Sequence, residues 1–243
     1  MVPLDAGLAR TPELTLAMAV ERHEFHGSAE ELHALPMPTS GDTGQLWQLR
    51  PHGPAVVMGS AQRPEQFNSV RLAEDDIDLA PRRSGGGAVF IAPESVLWVD
   101  VVVPRSNDLW STDLAETFLR TGAIWQQALR SCGIEADMCV TSPKRTEAAR
   151  LACWAGIGWG ELAVDGSKVL GLSQRRTRWG ARVQAMLVLD ASAQRVADYL
   201  VADHQSVVRD GIGGAHLAAV RRARSSLVAI ETALLACFAA QTS

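Results

Sequence analysis

The sequence predicts an α/β chain of the α+β kind, with a mixed, largely antiparallel sheet flanked by helices. Three observations carry this. Ser95 to Val103 is almost unbroken apolar sequence, as a central strand buried on both faces requires. Residues 160–164, 168–176 and 182–189 are three strand-like runs in succession, with Asp165-Gly166 as a hairpin turn between the first two and Trp179-Gly180 at the second turn. Thr112 to Cys132 reads as a long amphipathic helix: Leu114, Phe118, Ile124, Trp125 and Leu129 fall near a 3.6 period and Gly133 stops it. With no internal repeat, low-complexity tract or clear linker in 243 residues, one domain over residues 1–243 is the expected organisation.

Taken in order, Thr11 to Phe25 predicts the first helix, with Thr11 as cap and Pro12 in the first turn. Residues 26–44 are rich in Gly, Pro and Ser without a period and predict a loop. Gln45 to Arg50 alternates as a strand, Pro51 to Pro54 turns, and Ala55 to Gly59 is a short buried strand leaving through a small corner, Gly59-Ser60-Ala61-Gln62. Phe67 to Asp76 predicts a helix and Ile77 to Pro81 a strand. Beyond the long helix, Glu135 to Val140 predicts a strand, Thr141 to Leu151 a polar, basic connection, Ala193 to Val201 a short helix, and Val207 to His216 an irregular segment. Ala223 to Gln241 predicts a terminal amphipathic helix.

Apolar residues make up 47% of the chain, enough for a substantial core. A net charge of −4 is too mild to imply nucleic-acid binding by bulk charge. No basic-then-apolar leader and no apolar run of membrane length is present, so the expected compartment is the cytoplasm, with no membrane partner. The four cysteines, Cys132, Cys139, Cys153 and Cys237, form no CxxC pair and no zinc spacing, so no metal is expected. In a reducing compartment each is a packed residue or a reactive thiol.

The stretch around which the chemistry gathers is Arg82-Arg83-Ser84-Gly85-Gly86-Gly87-Ala88-Val89. Three consecutive glycines let a ligand approach the main chain, and free N–H groups beside arginines suit an anion or oxyanion. A glycine-rich β-turn would read the same way. The run lacks the Gly-Lys-Ser/Thr ending of a phosphate loop, and a strand follows where a dinucleotide fingerprint needs a helix. Cys153 sits in a glycine-punctuated loop that can present a thiol to a pocket, though a small buried residue is the equal alternative. Lys168 opens the strand after Asp165-Gly166. Lysines beside hairpin turns are usually solvated, but Gly171 three residues on marks a close approach to the backbone. An ammonium near Cys153 would favour the thiolate, the nucleophile of acyl transfer. Arg175, Arg176, Arg178 and Arg182, with Lys144 and Arg145, form a basic excess that is either a solvated hairpin face or a docking patch for an acidic carrier protein.

These segments resemble a known family. The Arg-Arg-Ser-Gly-Gly-Gly-Ala-Val run is similar to the signature of lipoate–protein ligases and octanoyltransferases, which share a catalytic-domain fold with biotin protein ligases. Val56 to Gln62 resembles that family's strand-Gly-x-x-Gln segment. Asp165 to Gln174 resembles its Gly-x-Lys strand, and Ala152-Cys153-Trp154 the cysteine segment of the thiol-dependent octanoyltransferases. The four occur in family order over about residues 45–190. The resemblance implies the biotin/lipoate ligase fold, with Lys168 orienting the acyl carbonyl and Cys153 accepting the acyl group as a thioester. Gln62, Arg83, Ser84, Gly85, Gly86, Gly87, Ala88, Gly171 and Ser173 would border the acyl site. The implied partners are acyl carrier protein as donor and a lipoyl domain or the glycine cleavage H protein as acceptor, with no resident cofactor.

Two departures from the family pattern matter. Phe90-Ile91-Ala92-Pro93 stands where many members have His-Asp, and Glu94-Ser95-Val96 where the ATP-dependent ligases have Gly-Asn. The stretch after residue 190 is also short for the ligases' separate C-terminal domain. The expectation is therefore an octanoyl or lipoyl transferase. An ATP-dependent lipoate ligase, which would use ATP and Mg, is the first alternative, and a non-catalytic acyl- or carrier-binding homologue the second.

Overall fold

The nine residues of β6 (Val96–Pro104) are all buried, and they explain the layering of the molecule. Leu97, Val99, Val101 and Val103 enter one core, while Val96, Trp98 and Val102 enter another on the opposite face. That alternation is the period of a strand covered on both sides. The computed structural model of the chain describes residues 21–144, 146–212 and 227–241. β1 (Glu21–Gly27), β2 (Gln45–Pro51), β7 (Asp137–Met138), β8 (Leu162–Val164), β9 (Ser167–Arg176) and β10 (Gly180–Val188) join β6 in a seven-stranded sheet, ordered β1-β2-β6-β10-β9-β8-β7. Only β1 with β2 is parallel in it. A second, three-stranded sheet is ordered β4 (Asp78–Pro81), β3 (Ala55–Met58), β5 (Val89–Ile91). The fold is therefore mixed and largely antiparallel, as the apolar runs and turn signals predict.

One face of the large sheet is closed by α3 (Leu114–Ser131) and by the C-terminal helix α6 (Leu227–Gln241), the latter presenting Ile230, Leu234, Cys237 and Phe238 to the core. Those positions recur at i, i+4, i+7 and i+8, a helical stripe. The other face packs α1 (Ala29–Ala34) and the small sheet. Arg182 fixes this arrangement. Its Nε meets Asp100 Oδ2 at 2.6 Å, and its Nη2 and Nη1 donate to Leu32 O (2.9 Å) and Leu35 O (3.3 Å) at the end of α1. Both members of the ion pair are 1% exposed or less. Burial lifts the Asp100 carboxyl above its usual value despite the opposing guanidinium.

Several elements depart from expectation. Residues 11–20 of the predicted first helix lie outside the described residues, and residues 21–25 belong to β1. There His23, Phe25 and Gly27 alternate inward against the parallel ladder with β2. The predicted loop 26–44 contains α1, announced by a capping box that links Ser28 and Glu31. The connection 141–151 contains α4 (Glu147–Leu151), capped by Thr146. The irregular segment at 207–216 begins inside α5 (Ala202–Ile212), where Gly211 lets the helix sit against Ala148; residues 213–216 lie outside the described residues. Ala191–Tyr199 is a 3-10 helix rather than an α-helix, and the predicted strand at 135–140 narrows to β7. No helix among the described residues is long and apolar enough to cross a membrane.

Candidate active site

Asp165 (φ 49°) and Gly166 (φ 77°) both adopt the left-handed region, the requirement of a two-residue type I′ hairpin. This tight turn delivers Lys168 at the start of β9, folded inward with its side chain 6% exposed. Its Nζ lies 3.6 Å from Cys153 Sγ. The same ammonium donates to Cys153 O (3.0 Å), Gly156 O (2.9 Å) and Glu161 Oε2 (2.8 Å). Burial disfavours its charge, but the facing Cys153 and Glu161 outweigh burial and hold Lys168 above the ordinary lysine value.

Glu161 is the residue the sequence reading passes over. It lies one position before β8, 7% exposed, and also accepts from Gly158 N (2.9 Å) and Leu172 N (2.9 Å). A buried carboxylate with three fixed donors orients its lysine rather than shuttling a proton. Its only sequence signal is a lone acid between Gly160 and an apolar strand. Gly160 (φ 75°) and Gly122 make this placement possible, because a Cβ on Gly122 would lie 2.1 Å from Gly160 O.

Cys153 opens a 3-10 turn, Cys153–Ala155, just after α4. Its amide donates to Ala88 O (2.9 Å), and Ala88 N donates to Leu151 O (2.9 Å). These two bonds stitch the cysteine segment to the end of the glycine loop. Only glycine fits at 87, where a Cβ would sit 2.6 Å from Ala152 N. Arg82 turns the loop carbonyls toward itself, donating from Nη2 to Gly85 O (2.9 Å) and Gly87 O (2.8 Å). The amides of Gly85, Gly86 and Gly87 make no hydrogen bond among the described residues.

The three glycines, Cys153, Lys168 and Ser173 line a cavity of about 340 Å³, whose apolar wall includes Leu114, Phe118, Ile157, Trp159 and Leu172. That is the size range of a small-molecule site. Leu114 is 52% exposed, which its place at the cavity wall explains. Other sequence candidates stand further off. Gln62 bridges Gly59 N (2.9 Å) and Leu151 O (3.0 Å), behind the loop and off the cavity wall. Ser84 is buried and donates to Gln184 Oε1 (2.7 Å), which also accepts from Ser173 Oγ (3.2 Å). Ala88 is fully buried, Arg83 is exposed, and Gly171 gives room to the Trp154 ring, 3.3 Å from where a Cβ would stand. The basic hairpin is not one face. Arg182 is in the core, and Arg176 donates to Thr112 O and Asp113 O at the start of α3. Lys144 lines the cavity, and Arg145 lies outside the described residues.

A family model for the lipoyl protein ligase A/B catalytic domain matches residues 27–236. The chain belongs to that family. This lipoyl protein ligase A/B domain is an enzyme whose chemistry is transfer or ligation of a lipoyl-type acyl group in protein lipoylation. Its fold is similar to a putative lipoate protein ligase from T. acidophilum with bound lipoic acid (17% identity, TM-score 0.62, covering 91% of this chain and 84% of that one). It is also similar to the bi-partite lipoate protein ligase of Thermoplasma acidophilum described with its E2 lipoyl domain (18%, TM-score 0.59, 89% and 84%), and to a lipoate-protein ligase A bound with ATP (19%, TM-score 0.51, 82% and 82%). At these identities the likeness is one of fold.

Proposed function

We propose that this chain is a thiol-dependent acyltransferase. It moves an octanoyl or lipoyl group from acyl carrier protein to a lysine of a lipoyl domain or H protein, through a thioester on Cys153. The observation that carries this reading is the 3.6 Å approach of Lys168 Nζ to Cys153 Sγ at the wall of an apolar cavity. The thiolate is the form that attacks a thioester carbonyl, and the ammonium stands beside the sulfur that carries that charge in the reaction. Burial of the acyl chain contributes roughly 0.8 kcal/mol per methylene to holding the donor. The carrier's phosphopantetheine thiol leaves, and the acceptor lysine then takes the acyl group from Cys153. A protein acceptor of this kind fits the E2 lipoyl domain described with the Thermoplasma acidophilum neighbour.

An ATP-dependent lipoate ligase is the second reading. Arg82 favours it, being a buried guanidinium that lines the cavity and forms no ion pair among the described residues, as an adenylate phosphate would suit. Against it, the hydrogens of Lys168 are already committed to Cys153, Gly156 and Glu161.

Incubation with octanoyl carrier protein, followed by intact mass measurement, separates the readings. An octanoyl adduct that disappears in Cys153→Ser is the expected result. Pyrophosphate exchange dependent on lipoate and ATP, with no such adduct, would replace transfer by ligation. A protein that binds acyl ligand, yields neither product and tolerates Cys153→Ala would be a non-catalytic homologue.

A further inference from the structure

Acyl transfer needs hydrogen-bond donors for the oxygen that becomes negative, and Lys168 has none to spare. An ammonium carries three hydrogens, and three oxygens already lie at 2.8–3.0 Å from Nζ. Behind Cys153, however, lies a separate chamber of about 20 Å³, room for a single water-sized atom. Its wall includes His33, Arg82, Cys153, Ser173 and Gln184, and it shares Arg82, Cys153 and Ser173 with the main cavity. Three of its lining residues carry buried polar atoms without a partner, His33 Nε2, Arg82 Nε and Trp154 Nε1. His33 is 4% exposed and Arg82 6%.

The proton of His33 is assigned from the surrounding network, with Gln184 Oε1 taken as the acceptor. Gln184 Oε1 accepts from the Ser84 and Ser173 hydroxyls, so its amide nitrogen faces His33 Nδ1 at 2.9 Å. Nδ1 is therefore the acceptor, and Nε2 bears the hydrogen. Burial first, then the charges of Arg82 and Arg182, keep the ring neutral by holding His33 well below the usual imidazole value. The residues around the chamber thus carry three unpartnered N–H donors, of His33, Arg82 and Trp154, and the Arg82 charge has no ion pair among the described residues; buried donors of this kind call for an acceptor.

We propose that this chamber seats the thioester carbonyl oxygen, with His33 Nε2–H and Arg82 Nε–H as its donors. The inference rests on the acyl-transfer reading. Cys153, having given its proton to solvent, attacks as thiolate: its sulfur forms a bond to the carbonyl carbon, and the C=O π pair moves onto oxygen inside the chamber. When that pair returns, the carbon–sulfur bond to the carrier breaks, and its thiolate leaves with the electrons and takes a proton from solvent. Arg82 serves as donor and as support for the glycine loop, whereas the His33 ring hydrogen-bonds Gln184 through Nδ1, packs beside Trp98, and has no partner on Nε2 among the described residues.

The test mixes the full-length protein with octanoyl carrier protein carrying a 13C-labelled carbonyl, without acceptor. Acylation of Cys153 is followed by intact mass, and the carbonyl band of the trapped acyl-enzyme by infrared difference. The wild-type band is expected below that of the same thioester in an apolar solvent. His33→Leu is expected to slow acylation about 10²–10³-fold, the usual loss for one such donor, with carrier affinity unchanged and the band moved up. A wild-type band with no downshift overturns the proposal and requires no variant to fold. So does a folded His33→Leu that acylates at the wild-type rate with an unmoved band. Those results leave transfer through Cys153 standing. Absence of any Cys153 adduct in the wild type removes both.

Discussion

His33 is buried as a neutral imidazole between two guanidinium groups, Arg82 and Arg182, with Gln184 on Nδ1 and the Trp98 ring alongside. Arg182 is itself paired with Asp100, so no free carboxylate among these neighbours offsets a second charge on the ring. The consequence for stability has a definite sign. The folded state holds His33 neutral well below the unfolded value of about 6.5, so below that pH the unfolded chain binds the extra proton. Stability is complete above about pH 6.5 and declines as pH falls. Thermal unfolding measured from pH 7.5 to 5 should show a Tm that drops with acid in the wild type and a shallower slope in His33→Gln. Equal slopes would place the acid sensitivity elsewhere. Lys168 is the opposite case. Its folded pKa is raised, so its contribution is complete below about pH 10.4 and is lost only as pH rises through the folded value.

At the scale of elements, the site is assembled by backbone pressed against backbone. The loop holding Glu161 lies on α3 because Gly122 and Gly160 remove the side chains that would separate them; a Cβ on Gly160 would sit 2.0 Å from Phe118 O. The glycine loop meets the cysteine segment in the same way at Gly87, and meets β3 where a Cβ on Gly59 would lie 1.9 Å from Gly86 O. Gly122→Ala should therefore cost about 1–3 kcal/mol, the range for overpacking. It should also impair acylation, because the shift passes through Glu161 to Lys168. Chemical denaturation and the acylation assay read the two effects. A variant as stable and as fast as wild type would mean that the loop can yield without moving the carboxylate.

Across the whole molecule, two layers are pinned to the large sheet by charge. Glu231 of α6 accepts from Arg50 Nη2 (3.0 Å) and from Gln48, fixing the C-terminal helix over one face. The Asp100–Arg182 pair fixes α1 over the other, and with it His33. A buried pair is a poor source of net stability, but removing one partner strands the other charge. Asp100→Asn should lose about 3–5 kcal/mol, a fall in Tm on the order of 10 °C. Replacing the pair jointly, Asp100→Leu with Arg182→Met, should cost less than Asp100→Asn alone, which a double-mutant thermal series checks.

Much of this was written in local pattern. The apolar run of β6, the Asp165-Gly166 hairpin and the period of α3 are short-range signals, because the chemistry that specifies them lies within one strand, one turn or one helix. The amino acids alone also put Cys153 and Lys168 among a small set of reactive candidates. They could not say that the two meet. That depends on a register, set by the Ala88–Ala152 bridge and by the inward course of β9, which no neighbouring residue encodes. Glu161 and His33 were invisible for the same reason. A lone acid before a strand and a lone histidine in a short helix acquire a role only when packing removes water and leaves each facing particular partners. Local sequence thus determined the elements and the reactive side chains, and tertiary packing decided which groups lost their solvent and met, since desolvation and close approach arise only between segments distant along the chain.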